Sequence, residues 1–210
     1  MRIGIIGAGN VGGTLGRAWA QKRHEVMFGV RQPKAPKTRT LLEQTGGGTT
    51  AGTVAEAAAH GSVVVLATPW NATRDALRSA GDLTGKILLD CTNPLKADQS
   101  GLEIGYTTSG GEQVAAWAKG ARVVKIFNTT GFENMADPKY GGEAITMFFV
   151  ADHAGAKGVA AQLARDLGFD PVDAGPLANA RLLEPLAMLW MHLAFSQKQG
   201  TAIAFKVLRR

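Results

Sequence analysis

The 210-residue chain is notable first for what it lacks. It has one cysteine, Cys91, so no internal disulfide framework is possible, and the thiol fits a reducing, cytoplasmic setting. No run approaches the ~18 apolar residues a membrane helix needs. Low-complexity tracts, internal repeats and a long linker are absent. His, Cys, Asp and Glu show no metal-ligand spacing, and no Ser/His/Asp pattern suggests a nucleophile. Aromatics make up 7% of residues and charged residues 19%, against 45% hydrophobic. That balance fits a folded domain rather than a disordered segment. The formal net charge is +6, but the basic residues form no long run. Steering of small anionic ligands therefore explains them better than nucleic-acid binding. The N-terminus reads as a buried strand rather than a signal peptide.

The most informative segment is Arg2–Gly12. Ile3, Ile5 and Ile6 form a short buried strand, and Gly7, Gly9 and Gly12 complete G-x-G-x-x-G where a helix should begin. Val11, Leu15, Ala18 and Trp19 then follow helical spacing. In such a turn Gly7 permits the bend and Gly9 lets a pyrophosphate approach the backbone. Gly12 lets helix and strand pack closely. The first-turn residues Asn10 and Val11 would present their amides to the phosphates.

The choice between NAD and NADP rests on the end of the second strand, Glu25–Gly29. An acidic residue there would bind the ribose 2′-hydroxyl of NAD. No Asp or Glu occurs between Val26 and Leu42; Arg31, Lys34, Lys37 and Arg39 stand there instead. This basic turn suits the 2′-phosphate of NADP, with Arg31 and Lys34 as the candidate contacts beside Val30.

Apolar runs alternate with helical segments further on. Helices are expected over Thr38–Gln44, after the capping box Thr53–Glu56, after a second capping box Ser109–Glu112, and over Ala154–Leu167. Strands are expected at Thr49–Ala51, Ser62–Ala67, Lys86–Cys91, Arg122–Phe127, Ile145–Val150 and Asp170–Asp173. The pattern implies an α/β fold: a Rossmann-type doubly wound, mostly parallel sheet with a small C-terminal helical appendage. Residues 1–175 would form the NADP-binding domain and 176–210 a helical tail. Leu182, Leu183, Leu186, Leu189, Trp190 and Leu193 recur along that tail, where Pro185 should begin or kink the helix. The tail should lie across the carboxyl edge of the sheet and close a pocket, or pair two subunits.

Ligands of open α/β sheets bind outside the carboxyl ends of the strands. Thr68, Pro69 and Trp70 follow one strand there, with Thr68 a candidate helix cap and Pro69 at the first helical position. Asn93 and Asn128 follow two others and can bind a carboxamide or ribose hydroxyls. Thr129, Leu186, Trp190 and His192 are the candidate substrate-pocket residues. Cys91 reads as a packing residue, and His24, His60 and His153 as solvated ones. No side chain stands out as a catalytic acid or base. Nor is there the long helical second domain that would carry the catalytic lysine of a hydroxyacid dehydrogenase. Hydride transfer between two stacked rings needs neither.

The segments Ile3–Gly12, Gly29–Arg31, Ala67–Trp70, Val123–Asn128, Asp173–Pro176, Ala180–Arg181 and Leu183–Leu186 together resemble the NADPH-dependent coenzyme F420 reductase family. They also resemble the cytosolic module of the six-transmembrane metalloreductases, without its membrane part. The resemblance implies pyrophosphate binding at Gly7–Gly12, 2′-phosphate binding at Arg31, and a nicotinamide flanked by Thr68–Trp70. Where this chain has Val30 the family often has Ser, so one phosphate donor is missing. The expected activity is hydride transfer between NADP(H) and a planar small-molecule acceptor, F420 or a flavin, by a cytoplasmic homodimer. Two other readings remain open: an NADP-dependent reductase of a small carbonyl or imine, and a non-catalytic NADP(H)-sensing module.

Overall fold

The computed structural model describes residues 1–210. Its first half follows the alternation of the sequence closely. β1 (Arg2–Ile6) leads into α1 (Asn10–Gln21), then β2 (Glu25–Gly29), α2 (Pro36–Thr45), β3 (Thr50–Gly52) and α3 (Val54–His60). β4 (Val63–Leu66), α4 (Trp70–Ala80), β5 (Ile87–Asp90), α5 (Gly110–Trp117) and β6 (Arg122–Ile126) complete a six-stranded parallel unit. Parallel strands covered on both faces need no apolar/polar alternation, and all four residues of β4 are buried.

α6 (Phe132–Ala136) and a small hairpin, β7 (Lys139–Tyr140) with β8 (Glu143–Ala144), interrupt the pattern next. Then come β9 (Thr146–Ala151), α7 (Ala154–Leu167), β10 (Asp170–Asp173) and α8 (Ala180–Met191), followed by a π-helical turn at His192–Ser196. The strand order is β10-β9-β6-β5-β4-β1-β2-β3. β9 joins β6 antiparallel, and β10 follows β9 in parallel. The sheet is thus mostly parallel, and its order reverses between β1 and β4, where such folds bind ligands.

Both faces of the sheet are apolar. On one, Trp19 of α1 packs edge-on to Phe127, with ring centroids 5.7 Å apart. Its indole N–H donates to the Leu163 carbonyl of α7 at 3.1 Å. On the other, Leu77, Val114, Leu177, Ala180 and Leu183 cover β4, β5 and β6. The tail residues Leu177, Ala180 and Leu183 therefore belong to the core.

Several local expectations are corrected. α8 begins at Ala180, so Pro185 does not begin it but lies inside, the other of the two expected places. Pro69 occupies the cap position of α4 rather than its first turn. The Thr68 hydroxyl does not cap; it pairs with the Thr73 hydroxyl at 3.0 Å. At Thr53 the capping box closes in both directions. At Ser109 only half of it forms, because Arg181 holds the Glu112 carboxylate from the other side. His24 is not solvated: it is 9% exposed, with Nε2 3.0 Å from Asp166 and Nδ1 3.1 Å from the N-terminal amine.

Candidate functional site

At the switch point β1 turns sharply into α1. Gly7 has φ +100°, a left-handed conformation, and a Cβ there would lie 2.4 Å from the Ala67 carbonyl oxygen. A Cβ on Gly12 would lie 1.9 Å from the Gly7 carbonyl oxygen, so the helix can pack this closely only with glycine there. Gly9 differs: nothing lies within 4 Å of where its Cβ would be. It is exposed and caps α1 without any side-chain bond, and no acidic residue sits in the first turn of α1. The free amides there face open space, which is the cradle a pyrophosphate requires.

That space is a cleft of about 840 Å³. One side is built by Gly9, Asn10 and Val11 from the β1–α1 turn. Thr68, Pro69 and Trp70 line it from the β4–α4 turn, and Cys91, Thr92 and Asn93 from the end of β5. The remaining wall is the loop after Pro94, through Leu95, Lys96, Gln99 and Glu103, which the sequence patterns did not single out. An isolated bridge between Leu95 and Leu102 ties the base of this loop. One face of Trp70 is taken by Trp117, with ring centroids 5.3 Å apart and planes 30° apart. Cys91 is 7% exposed, and burial pushes its thiol up, with Asp90 adding to the effect. It is therefore an inert thiol.

A second hollow, about 580 Å³, lies at the carboxyl end of β2 and includes Gln32, Pro33, Lys34, Thr53 and Glu56. Arg31 beside it is exposed and forms no ion pair. The Val30 amide donates to the Gly52 carbonyl at 3.0 Å, which fixes the turn. Glu56 brings an acid into this hollow from α3. Its carboxylate accepts from the Thr53 amide at 2.7 Å and the Thr53 hydroxyl at 2.9 Å, which hold it below its ordinary pKa.

Other predicted site residues lie outside the cleft. Asn128 and Thr129 are buried at the end of β6. Trp190 is 5% exposed; its indole N–H donates to the Ile203 carbonyl at 2.7 Å and its ring packs over Gly131. Leu186 is partly buried on α8, and His192 is exposed at the start of the π-helical turn, 3.1 Å from the Gln197 amide.

A buried ionic cluster behind the cleft escaped notice in the sequence. Lys125 of β6 is fully buried, with its ammonium 2.9 Å from Asp90, 3.0 Å from Glu184 and 2.6 Å from the Thr92 carbonyl. All three of its protons thus have acceptors. Glu184 also accepts from the Gly110 and Gly111 amides, each at 2.9 Å. Asp90 accepts from the Thr92 amide at 2.9 Å and hydroxyl at 2.7 Å. Burial alone would lower the Lys125 pKa, but the two carboxylates outweigh it and raise the value. The signal was available: a lysine between Val124 and Ile126, and a glutamate between Leu183 and Pro185, are charges in apolar runs that must find partners.

A Rossmann sheet, an open first-turn anion cradle and an unpaired arginine after β2 are the features an NADP-dependent oxidoreductase requires of its cofactor site. Comparison with known proteins agrees. Residues 2–94 match the model of the family described as "NADP oxidoreductase coenzyme F420-dependent". A crystal structure from Arthrobacter sp. FB24, provisionally assigned as an F420-dependent NADP-reductase, is 34% identical and superposes with a TM-score of 0.91 over 100% of both chains. The F420-dependent NADP reductase of Methanothermobacter marburgensis is 28% identical over 207 residues, covering 92% of each chain. Rat metalloreductase STEAP3 is 30% identical over 195 residues, 90% of this chain; the match spans 37% of that longer protein. The chain belongs to the F420-dependent NADP oxidoreductase family. No helix is long and apolar enough to cross a membrane.

Proposed function

We propose that the protein transfers a hydride between NADP(H) and a planar ring acceptor, the deazaflavin F420 or a flavin, within the cleft at the switch point. One observation carries this reading. The cleft runs from the uncapped end of α1, where a phosphate would sit, to a separate wall formed by the 95–103 loop. Gly9, Asn10 and Val11 offer backbone amides to the pyrophosphate, while Gly7 and Gly12 permit the turn and the close packing that aim them. Val30 shapes the turn from which Arg31 and Lys34 meet the 2′-phosphate. Thr68, Pro69, Trp70 and Asn93 border the nicotinamide end. Bound NADPH supplies the hydride. The chain's part is to orient that end, hold the charged end at Arg31, and limit water with the Leu95–Glu103 wall.

Neither neighbouring group is suited to proton transfer. Cys91 is held as a thiol by burial, and His192 lies on the tail outside the cleft wall. The acceptor is proposed to contact the 95–103 loop, in front of Thr129, Leu186 and Trp190 rather than among them. The family match ends at residue 94, and this wall begins just beyond it. We further propose a homodimer, supported by the exposed Leu182, Leu189 and Phe195 on the tail and tested by light scattering in solution; the single cysteine favours a reducing, cytoplasmic setting.

The decisive experiment is an absorbance screen of NADPH oxidation against F420, FMN, FAD and quinones, followed by stereospecifically deuterated NADPH with the active acceptor. Label recovered on F420 supports direct transfer. Loss of label to solvent with F420 as the acceptor, or no turnover with any ring acceptor, rejects the reading.

A further inference from the structure

The chain makes a costly step immediately before Asn128. Phe127 has φ +60° and is 1% exposed. A bulky aromatic in the left-handed region is strained, and such strain persists where the surroundings require it, often beside functional sites. Aromatic contacts hold it there: Trp19 lies 5.7 Å away and Phe169 6.1 Å, centroid to centroid. The step sets the direction of Asn128.

Asn128 is 4% exposed, and every hydrogen bond of its side chain goes to one of two neighbours. Its Nδ2 donates to Asn93 Oδ1 at 3.0 Å and to the Leu183 carbonyl of α8 at 3.2 Å. Its backbone carbonyl accepts from Asn93 Nδ2 at 3.0 Å. Its own Oδ1 is buried without a partner, a second cost at the same residue. Asn93, by contrast, is half-buried and lines the cleft.

An asparagine amide has two flip states that differ only in which side carries the donor. At Asn93 the neighbours decide. The Asn128 N–H faces Oδ1 and the Asn128 carbonyl faces Nδ2; a flipped Asn93 would set donor against donor and acceptor against acceptor. One N–H and one acceptor lone pair of Asn93 remain for a ligand.

We infer that Asn128 is a positioning residue for cofactor binding. It locks the Asn93 amide in one flip state and ties it to the tail helix, so that Asn93 offers a fixed donor and acceptor to an amide- or hydroxyl-bearing group of the dinucleotide. Asn128 itself does not touch the ligand. Glu184, next to Leu183, is pinned by Lys125, Gly110 and Gly111, so the helix end of this link is rigid. The inference rests on reading the cleft as the NADP site.

The test is a double-mutant cycle on NADPH dissociation constants, measured by fluorescence titration on the full chain, with thermal melts to confirm folding. Asn93→Ala should weaken binding about three- to tenfold, the scale of one lost hydrogen bond, and Asn128→Ala measurably but by less, because its backbone carbonyl still accepts from Asn93 Nδ2. The double variant should bind no worse than Asn93→Ala alone. Equal further weakening in the Asn93→Ala background, or no effect of Asn128→Ala in the wild-type background, overturns the inference.

Should Asn128→Ala fail to fold, Asn128→Asp keeps the shape but sets an acceptor against Asn93 Oδ1. Its NADPH affinity relative to wild type should fall at neutral pH and recover as pH drops, because a protonated carboxyl donates again. A ratio independent of pH overturns the inference. Wild-type protein that fails to bind NADPH defeats the cofactor reading itself, whereas normal wild-type binding with additive variants defeats only the role of Asn128.

Discussion

Two helix N-termini in this protein meet the same electrostatic demand in opposite ways. Unpaired amides and the helix dipole make each start an anion site. At α5 the Gly110 and Gly111 amides are filled by the chain's own carboxylate, Glu184, 1% exposed and backed by Lys125. At α1 nothing fills the equivalent place: Gly9 caps without a side chain and the first turn has no acid. The occupied terminus shows how the fold satisfies such a group internally. The open one is left for an anion from outside, and the cleft lies in front of it.

The largest expected effect comes from closing the open terminus. Gly9→Val should remain folded, since the added atoms begin in empty space, yet bind neither NADPH nor NADH. Normal NADPH titration by this variant would mean that the turn is not a phosphate cradle. Opening the closed terminus comes next. Glu184→Gln keeps the shape but leaves Lys125 one carboxylate short, at a cost of about 3 kcal/mol, the lower end for a broken buried pair because Asp90 remains. Chemical denaturation measures it, and a loss below about 1 kcal/mol would mark the cluster as energetically minor.

Arg31→Ala sharpens the comparison by separating the phosphate at α1 from the one on the ribose. It should cost roughly 1.5–3 kcal/mol of NADPH affinity and leave NADH nearly unchanged in calorimetric titrations. Equal losses would remove Arg31 from the 2′-phosphate. The smallest effect lies at the rim of the closed terminus. The Arg181 fork holds Glu112 below its ordinary pKa, burial opposes this, and Ser109 helps. A depressed folded-state value means stability that is present above the unfolded pKa of about 4.3 and lost as pH falls below it. Both side chains are partly exposed, so Glu112→Gln should flatten the acid-side decline by less than about 1 kcal/mol.

Much of the architecture is local and was legible. The β1–α1 turn, β2 and the ends of α7 follow from periodicity, glycine placement and turn residues. Contacts between distant segments were not legible. The motifs beginning at Thr53 and Ser109 both read as capping boxes, yet only the first closes, because Arg181 reaches Glu112 from 69 residues away. Helical spacing identified α8 but not the direction of Trp190, which the carbonyl of Ile203 decides. Nothing local marks Phe127 as left-handed. The cleft residues from β1, β4 and β5 were identified because strand ends are predictable. The Lys96–Glu103 wall was missed because an irregular loop has no period to read.

The ionic cluster also has a consequence for biosynthesis. Asp90 and Lys125 are 35 residues apart, but the Gly111 amide and Lys125 meet Glu184 only after 73 further residues from Gly111 have been made. At roughly 5–20 residues per second, that interval lasts on the order of 4–15 seconds. For the part of it that follows β6, a nascent chain carries a sheet of at least six strands with one wall unsealed and a lysine lacking its second carboxylate. Since α8 is the last long helix, a ribosome stalled before residue 184 would hold a partly closed sheet for quality control to recognise.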